Sequence, residues 1–136
     1  MGTAENKQRM IEIFEELATG NTAPFRDAMD EDFIWIVMGS TPWSGTYRGR
    51  STVLDELMAP LFAQFVDRYT NSAECFIAEG DRVVVQCSGR ATTRTGVRYD
   101  NSYCYVCRLA DGRLLEITEY LDTELVSSAL APPRAL

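Results

Sequence analysis

Apolar residues recur along the chain in two rhythms. Between Glu5 and Thr19, Met10, Ile13, Phe14, Leu17 and Ala18 fall at the i, i+3, i+4, i+7, i+8 spacing of one helical face, and Gly20 supplies a stop. A short second helix is predicted next, with Asn21 or Thr22 as cap and Pro24 in its first turn, where a missing N–H is harmless. A third helical pattern runs from about Ser51 to Phe65, with Leu54, Leu57, Met58, Leu61, Phe62 and Phe65 along one side. Pro60 lies inside it and predicts a kink or break. The other rhythm is that of strands. Phe33-Ile-Trp-Ile-Val-Met38 reads as a buried strand, followed by the loop-like stretch Gly39-Ser-Thr-Pro-Trp-Ser-Gly45. Segments near 69–78, 82–94, 97–109 and 113–121 are separated by Gly80-Asp81, Thr95-Gly96 and Asp111-Gly112, each of them hairpin punctuation. The order helix, helix, strand, helix and a four-stranded antiparallel meander predicts an α+β domain whose sheet curls around its helices and leaves a cavity between them.

The last strand carries the one conspicuous break in pattern. Leu115, Ile117, Glu119 and Leu121 share one face, and Glu116, Thr118, Tyr120 and Asp122 share the other. The first face is apolar except for Glu119. A carboxylate placed there is either paired or desolvated, and desolvation raises its pKa toward the range useful to a general acid or proton shuttle. A buried Glu bonded to a neighbouring hydroxyl or Arg, with no chemistry, is the alternative. Asp122 ends the strand just before Thr123-Glu124-Leu125 and reads as the cap of a C-terminal helix. The hairpin register decides what faces Glu119. A three-residue loop, Ala110-Asp111-Gly112, puts Tyr103 opposite it, with Asn101, Tyr103, Tyr105 and Cys107 on its face. A two-residue loop, Asp111-Gly112, puts Cys104 there instead. The first register is preferred, because Tyr and Asn side chains are suitable donors to a developing oxyanion.

Composition narrows the chemistry. The 136 residues fit one domain, 46% of them are apolar, and no apolar run approaches the roughly 20 residues of a membrane-crossing helix. The polar segment Met1–Arg9 predicts no secretory signal and a cytoplasmic protein. With a net charge of −7, a single lysine and scattered arginines, neither nucleic acid nor an anionic membrane is an expected partner. There is no histidine, so imidazole bases and Ser-His-Asp or Cys-His catalysis are out of reach. Cys104-Tyr-Val-Cys107 has C-x-x-C spacing, but residues three apart on a strand point to opposite faces, so no metal or redox pair is expected from it.

The element order, the loop Gly39-Ser40-Thr41-Pro42-Trp43-Ser44-Gly45 and the ending Asp111-Gly-Arg-Leu-Leu-Glu-Ile-Thr-Glu119-Tyr-Leu-Asp122-Thr123 resemble SnoaL-like proteins of the nuclear transport factor 2-like superfamily, which also holds ketosteroid isomerases. The resemblance spans about Asn6 to Leu125. It implies one cystatin-like domain over 1–136, with its core at about 6–125 and a tail at 126–136. In such a cone-shaped α+β barrel, three N-terminal helices pack on a strongly curved, mostly antiparallel sheet. A deep apolar pocket and a homodimer formed through the sheet are further implications. Where ketosteroid isomerases carry their base Asp, this chain has Ile36-Val37. Their first-helix Tyr falls near Ile13 and Phe14, and their second pocket Asp near Tyr105. The phenazine-biosynthesis branch is more similar: its Tyr-x-Asn strand and Arg-Glu-Phe-Met-Asn-Pro ending look like Tyr99-Asp100-Asn101 and Thr118-Glu119-Tyr120-Leu121-Asp122-Thr123, and its pocket Glu, an acid, lines up with Glu119.

Two functional readings follow. In one, the protein is a cofactor-free isomerase, cyclase or dehydratase acting on a small hydrophobic carbonyl compound. Glu119 moves the proton, and Tyr103, Tyr105 and Asn101 hold the developing enol or enolate oxygen. Trp35, Ile34, Ile36, Met38, Trp43, Leu57, Leu61, Phe62, Ile117 and Leu121 are the expected pocket wall. In the other, the same fold binds a small ligand or a protein partner without chemistry.

Overall fold

The computed structural model describes residues 2–133. Helix α1 (Thr3–Leu17) buries Met10, Ile13, Phe14 and Leu17, the stripe that the periodicity marks. Gly20 stops it in the left-handed region, and Asn21 Oδ1 accepts from the Ala23 amide at 3.2 Å to start α2 (Ala23–Ala28). Strand β1 (Met29–Val37) begins four residues before the predicted one, and β2 (Gly45–Arg48) was not predicted at all. Four mostly exposed residues carry no alternation to detect. The third helix runs as α3 (Arg50–Thr52), a wide π-helical turn (Val53–Met58) and α4 (Ala59–Phe62). Pro60 has no N–H to give to the preceding turn. The widened turn absorbs that misfit, and the helix continues to Phe62 instead of breaking.

Strands β3 (Thr70–Glu79), β4 (Arg82–Arg90), β5 (Ser102–Ala110) and β6 (Arg113–Leu121) form the predicted antiparallel meander. The sheet order is β2-β1-β6-β5-β4-β3, and only the β1–β6 pair is parallel. The strands predicted at 82–94 and 97–109 are shorter than expected. Residues 91–101 fall outside the named strands but still close the hairpin on itself, through Tyr99 N–H to the Ala91 carbonyl and Thr93 N–H to the Val97 carbonyl. They also pair with the chain after α4, through Val66 N–H to the Thr92 carbonyl and Arg94 N–H to the Gln64 carbonyl. Helix α1 lies across β3 and β4, and the 50–62 helical segment closes over β1 and β2. The curved sheet thus wraps a core that extends from Met10 and Phe14 to Phe33, Val85 and Ile117. Helix α5 (Thr123–Ala129) covers one end, capped as predicted by Asp122, whose carboxylate accepts from the Leu125 amide at 3.2 Å. Val126 and Leu130 are buried with it.

The β5–β6 register differs from both expectations. Asp111 (φ 51°) and Gly112 (φ 76°) make a two-residue turn of the kind that needs two left-handed residues, so Ala110 pairs with Arg113. A bulge after Leu114 then shifts the ladder by one, and Glu119 lies opposite Tyr105, not Tyr103 or Cys104. The bulge also exchanges two leucines: Leu114 is fully buried, while Leu115 is only half-buried. Past the bulge the inward face is the expected one. Glu119 looks inward with Ile117, on the same side of the sheet as Tyr103, Tyr105 and Cys107, while Cys104 sits half-buried on the opposite face.

Candidate active site

A cavity of about 60 Å³ lies between the sheet and the helices, lined by Leu17, Phe25, Trp35, Leu57 and Met58 together with Tyr69, Asn71, Tyr103, Tyr105 and Glu119. A wider mouth of about 230 Å³ between Gly20 and Arg68 adjoins it, the two sharing Thr22, Phe62 and Tyr69 as walls. On the other side of Glu119 a second space of about 30 Å³ is bounded by Val37, Trp43, Leu121, Val126 and Leu130. Glu119 therefore stands between two chambers.

Strand pairing explains its partner. On the parallel β1–β6 ladder Val37 pairs with Glu119 and Trp35 with Ile117, so Trp35 is the same-face diagonal neighbour of Glu119. Its indole Nε1–H donates to Glu119 Oε1 at 2.9 Å. The indole is held in turn by edge contacts to Phe25, Phe33 and Tyr105, with centroids 5.7, 6.0 and 5.9 Å away. Glu119 is 7% exposed and forms no ion pair with an arginine among the described residues. Burial pushes its pKa up to about 7, against the smaller lowering effect of the indole hydrogen bond.

Facing it is a cluster of phenols. Tyr69 donates to Tyr103 at 3.0 Å, and the Asn71 amide nitrogen donates to the oxygens of Tyr69 and Tyr105, both at 3.3 Å. Burial drives the three phenols well above their ordinary range, so they remain neutral donors, and Tyr99 beside them is pushed up to about 12 for the same reason. Gly89 makes the cluster possible. A Cβ there would lie 2.6 Å from the Tyr69 hydroxyl and 2.9 Å from the Tyr103 ring.

The predicted site residues divide into those the fold brings together and those it does not. Glu119, Tyr103, Tyr105, Trp35, Leu57, Leu61 and Phe62 line the main chamber. Trp43 and Leu121 line the smaller one. Asn101 does not reach either. Its Oδ1 accepts from the amides of Ser102 and Asp122, and its Nδ2 donates to the Asp122 carbonyl and Tyr99, which ties β5 to the end of β6. Ile117 is fully buried but packs in the core below the chamber. Ile34 and Ile36 alternate with Trp35 and so point to the outer face, and Met38 is 38% exposed beyond the strand end. Tyr69 and Asn71 were missed. Their signal was present, because Tyr69-Thr70-Asn71 repeats the two-residue spacing of Tyr99-Asp100-Asn101, which puts both polar groups on one strand face.

Solved structures described as nuclear transport factor 2-like or cystatin-like share this curved six-stranded fold, with helices packed in its curve, over nearly the whole chain. A nuclear transport factor 2-like protein from Burkholderia thailandensis E264 superposes with a TM-score of 0.79 at 23% identity, covering 97% of this chain and 100% of its own. A protein described as a SnoaL-like polyketide cyclase from Jannaschia sp. CCS1 gives 0.74 at 21% identity, covering 96% and 95%. A Xanthomonas campestris protein of unknown function with a cystatin-like fold gives 0.77 at 21% identity, covering 90% and 95%. The chain belongs to the SnoaL-like domain family, whose profile matches residues 10–117. No curated protein sequence matches it. Among the described residues no helix is long and apolar enough to cross a membrane.

Proposed function

We propose that this SnoaL-like domain is a cofactor-free acid–base enzyme, an isomerase, cyclase or dehydratase acting on a small hydrophobic carbonyl compound. The observation that carries this reading is Glu119, a carboxyl buried among aromatic rings with one hydrogen bond and a pKa near neutrality. Such a group takes a proton as the carboxylate and returns it as the acid without help from a second titrating residue. Tyr105 supports the same reading. Its oxygen accepts from Asn71, while its hydroxyl hydrogen has no protein acceptor among the described residues, so it is available to a carbonyl oxygen that gains charge as the proton leaves.

The test does not require the natural substrate. Small ketones incubated with the protein in heavy water exchange their α-hydrogens if a positioned base enolises them, and NMR follows the exchange. Glu119-dependent exchange should rise with pH through about 7 and fall at least ~10²-fold in Glu119→Gln. Exchange that is unchanged in a folded Glu119→Gln protein would sink the mechanism. The second reading, ligand binding without chemistry, draws on the small inner volume of about 60 Å³. It requires ligands to bind while no exchange occurs.

The partner we propose for the outer face of the sheet is a second copy of the chain, which this reading places in the cytoplasm. Ile77, Val84, Val106, Thr118 and Ile36 are paired strand to strand across five strands and form a row on that face that is apolar except for Thr118. Ile77 is 58% exposed within it.

A further inference from the structure

We infer that Asn71 is a specificity-determining residue and that the ligand of the main chamber is a carbonyl compound bearing a hydroxyl or enol O–H close to the carbonyl. This rests on the same chamber as the acid–base reading but not on Glu119 being catalytic. Asn71 sits near the start of β3, 2% exposed, opposite Gly89. Its amide nitrogen donates to the oxygens of Tyr69 and Tyr105, and the Cys87 thiol lies close by on β4. The Asn71 carbonyl oxygen has no hydrogen-bond partner among the described residues. Three buried side-chain polar atoms among the described residues share that condition, on Asn6, Arg9 and Asn71, and only Asn71 lines the chamber.

A buried acceptor without a protein donor is costly unless something in the cavity supplies a donor. The remaining lining of the inner chamber is aromatic and aliphatic apart from Thr22, the phenols and Glu119. The amide nitrogen lies 3.3 Å from the Tyr105 oxygen, so a ligand carbonyl held by the Tyr105 hydroxyl is a close neighbour of Asn71 Oδ1. A hydroxyl on the adjacent carbon, or one carbon further, would reach it. A ligand lacking that hydroxyl leaves the amide oxygen desolvated and unpaired, and sites built this way reject such analogues strongly. The inner chamber, at about 60 Å³, takes only the functional end of such a molecule, and its body lies in the mouth of about 230 Å³ against Phe62, Phe65 and Tyr69.

The test compares four neutral probes by quenching of tryptophan emission, since Trp35 borders the chamber. They are α-hydroxypropiophenone, its methyl ether, propiophenone and the matching α-diketone. The hydroxyketone should bind at least ~10-fold more tightly than the other three. That ratio should fall to about twofold or less in both Asn71→Leu and Asn71→Ala, whose folding is checked by circular dichroism. Equal binding of the four, failure of the hydroxyketone to bind, or a preference that persists in both Asn71 variants would overturn the inference. So would a preference for the diketone, the result required if the amide were turned over and its NH₂ were the unpartnered group. Hydroxyketone selectivity without Glu119-dependent proton exchange would refute the catalytic reading and leave this one standing.

Discussion

Glu119 should make this protein lose stability as pH rises through neutrality, the reverse of the usual behaviour of carboxylates held in ion pairs. Its pKa goes from an ordinary 4.5 to about 7 on folding, so the native state holds the proton more tightly than the unfolded chain. Below about pH 4.5 both states are protonated and nothing is lost. Between 4.5 and 7 the unfolded chain ionises while the native site resists, and unfolding becomes easier. Above 7 the loss is complete. At about 1.4 kcal/mol per tenfold change in the proton equilibrium, the full loss is about 3 kcal/mol, of which about 2 to 3 kcal/mol falls between pH 5 and pH 8. That is a large share of the ~5–15 kcal/mol that holds a domain folded. The window is unusually clean because the chain has no histidine. Asp30 and Asp67 are held below their ordinary values by hydrogen bonds from backbone amides, so their contributions are lost only in more acidic solution. Urea unfolding followed by circular dichroism at pH 5, 6, 7 and 8 measures the slope. Glu119→Gln keeps an acceptor for the Trp35 indole, removes the titration, and should flatten the curve. A wild-type stability that is flat or rising across that range, or a Glu119→Gln variant with the wild-type slope, would refute the claim that the carboxyl is desolvated in the native state.

Other substitutions probe the frame around the site. Gly89→Ala places a methyl group against the Tyr69 hydroxyl and the Tyr103 ring, and should cost about 1–3 kcal/mol while weakening the Tyr69–Tyr103 hydrogen bond, read by thermal melting and by tyrosine difference spectra. Asn101→Ala strips hydrogen-bond partners from Ser102, Asp122 and Tyr99 together, and should cost about 2–4 kcal/mol in urea unfolding with little change in ligand affinity, as expected of a residue outside both chambers. Val106→Glu puts a charge in the middle of the outer apolar row, and light scattering should show a dimer for the wild type and a monomer for the variant. A wild-type monomer at micromolar concentration would remove the second copy as the partner of that face.

Much of the fold was legible because it rests on long-wavelength patterns. The α1 stripe needed only helical spacing, and the meander needed only apolar alternation punctuated by glycine turns. What escaped detection was decided by tertiary contacts. Strand β2 exists because Ile34, Trp35, Ile36 and Val37 offer it an edge, not because Gly45–Arg48 favours a strand. Residues 91–101 keep only isolated contacts with each other while the chain after α4 pairs with one of their arms, through Val66 and Arg94. Nothing local to either segment announces the partner. Helix α3 to α4 is the intermediate case. Pro60 signalled a disturbance, but whether a helix breaks or widens depends on what it packs against.

The site shows how a register error can leave the chemistry intact. The preferred three-residue loop is off by two positions from the observed ladder, a displacement made of one residue from the shorter turn and one from the bulge. Two is the period of a strand, so the wrong partner, Tyr103, and the right one, Tyr105, lie on the same face. Glu119 thus kept its phenolic surroundings under the mistaken register, whereas the alternative with Cys104 would have turned it outward. The parity of a hairpin, which decides what a carboxylate sees, is more robust to a turn-plus-bulge ambiguity than the identity of its neighbour. The same parity separates Ile34 and Ile36 from Trp35, because adjacency on a strand is the one relation that guarantees opposite faces. Asn71 went unnoticed for a further reason. Its meaning lies in an unmet hydrogen bond, and that can be recognised only when Tyr69, Tyr105 and the cavity wall are all in place around it.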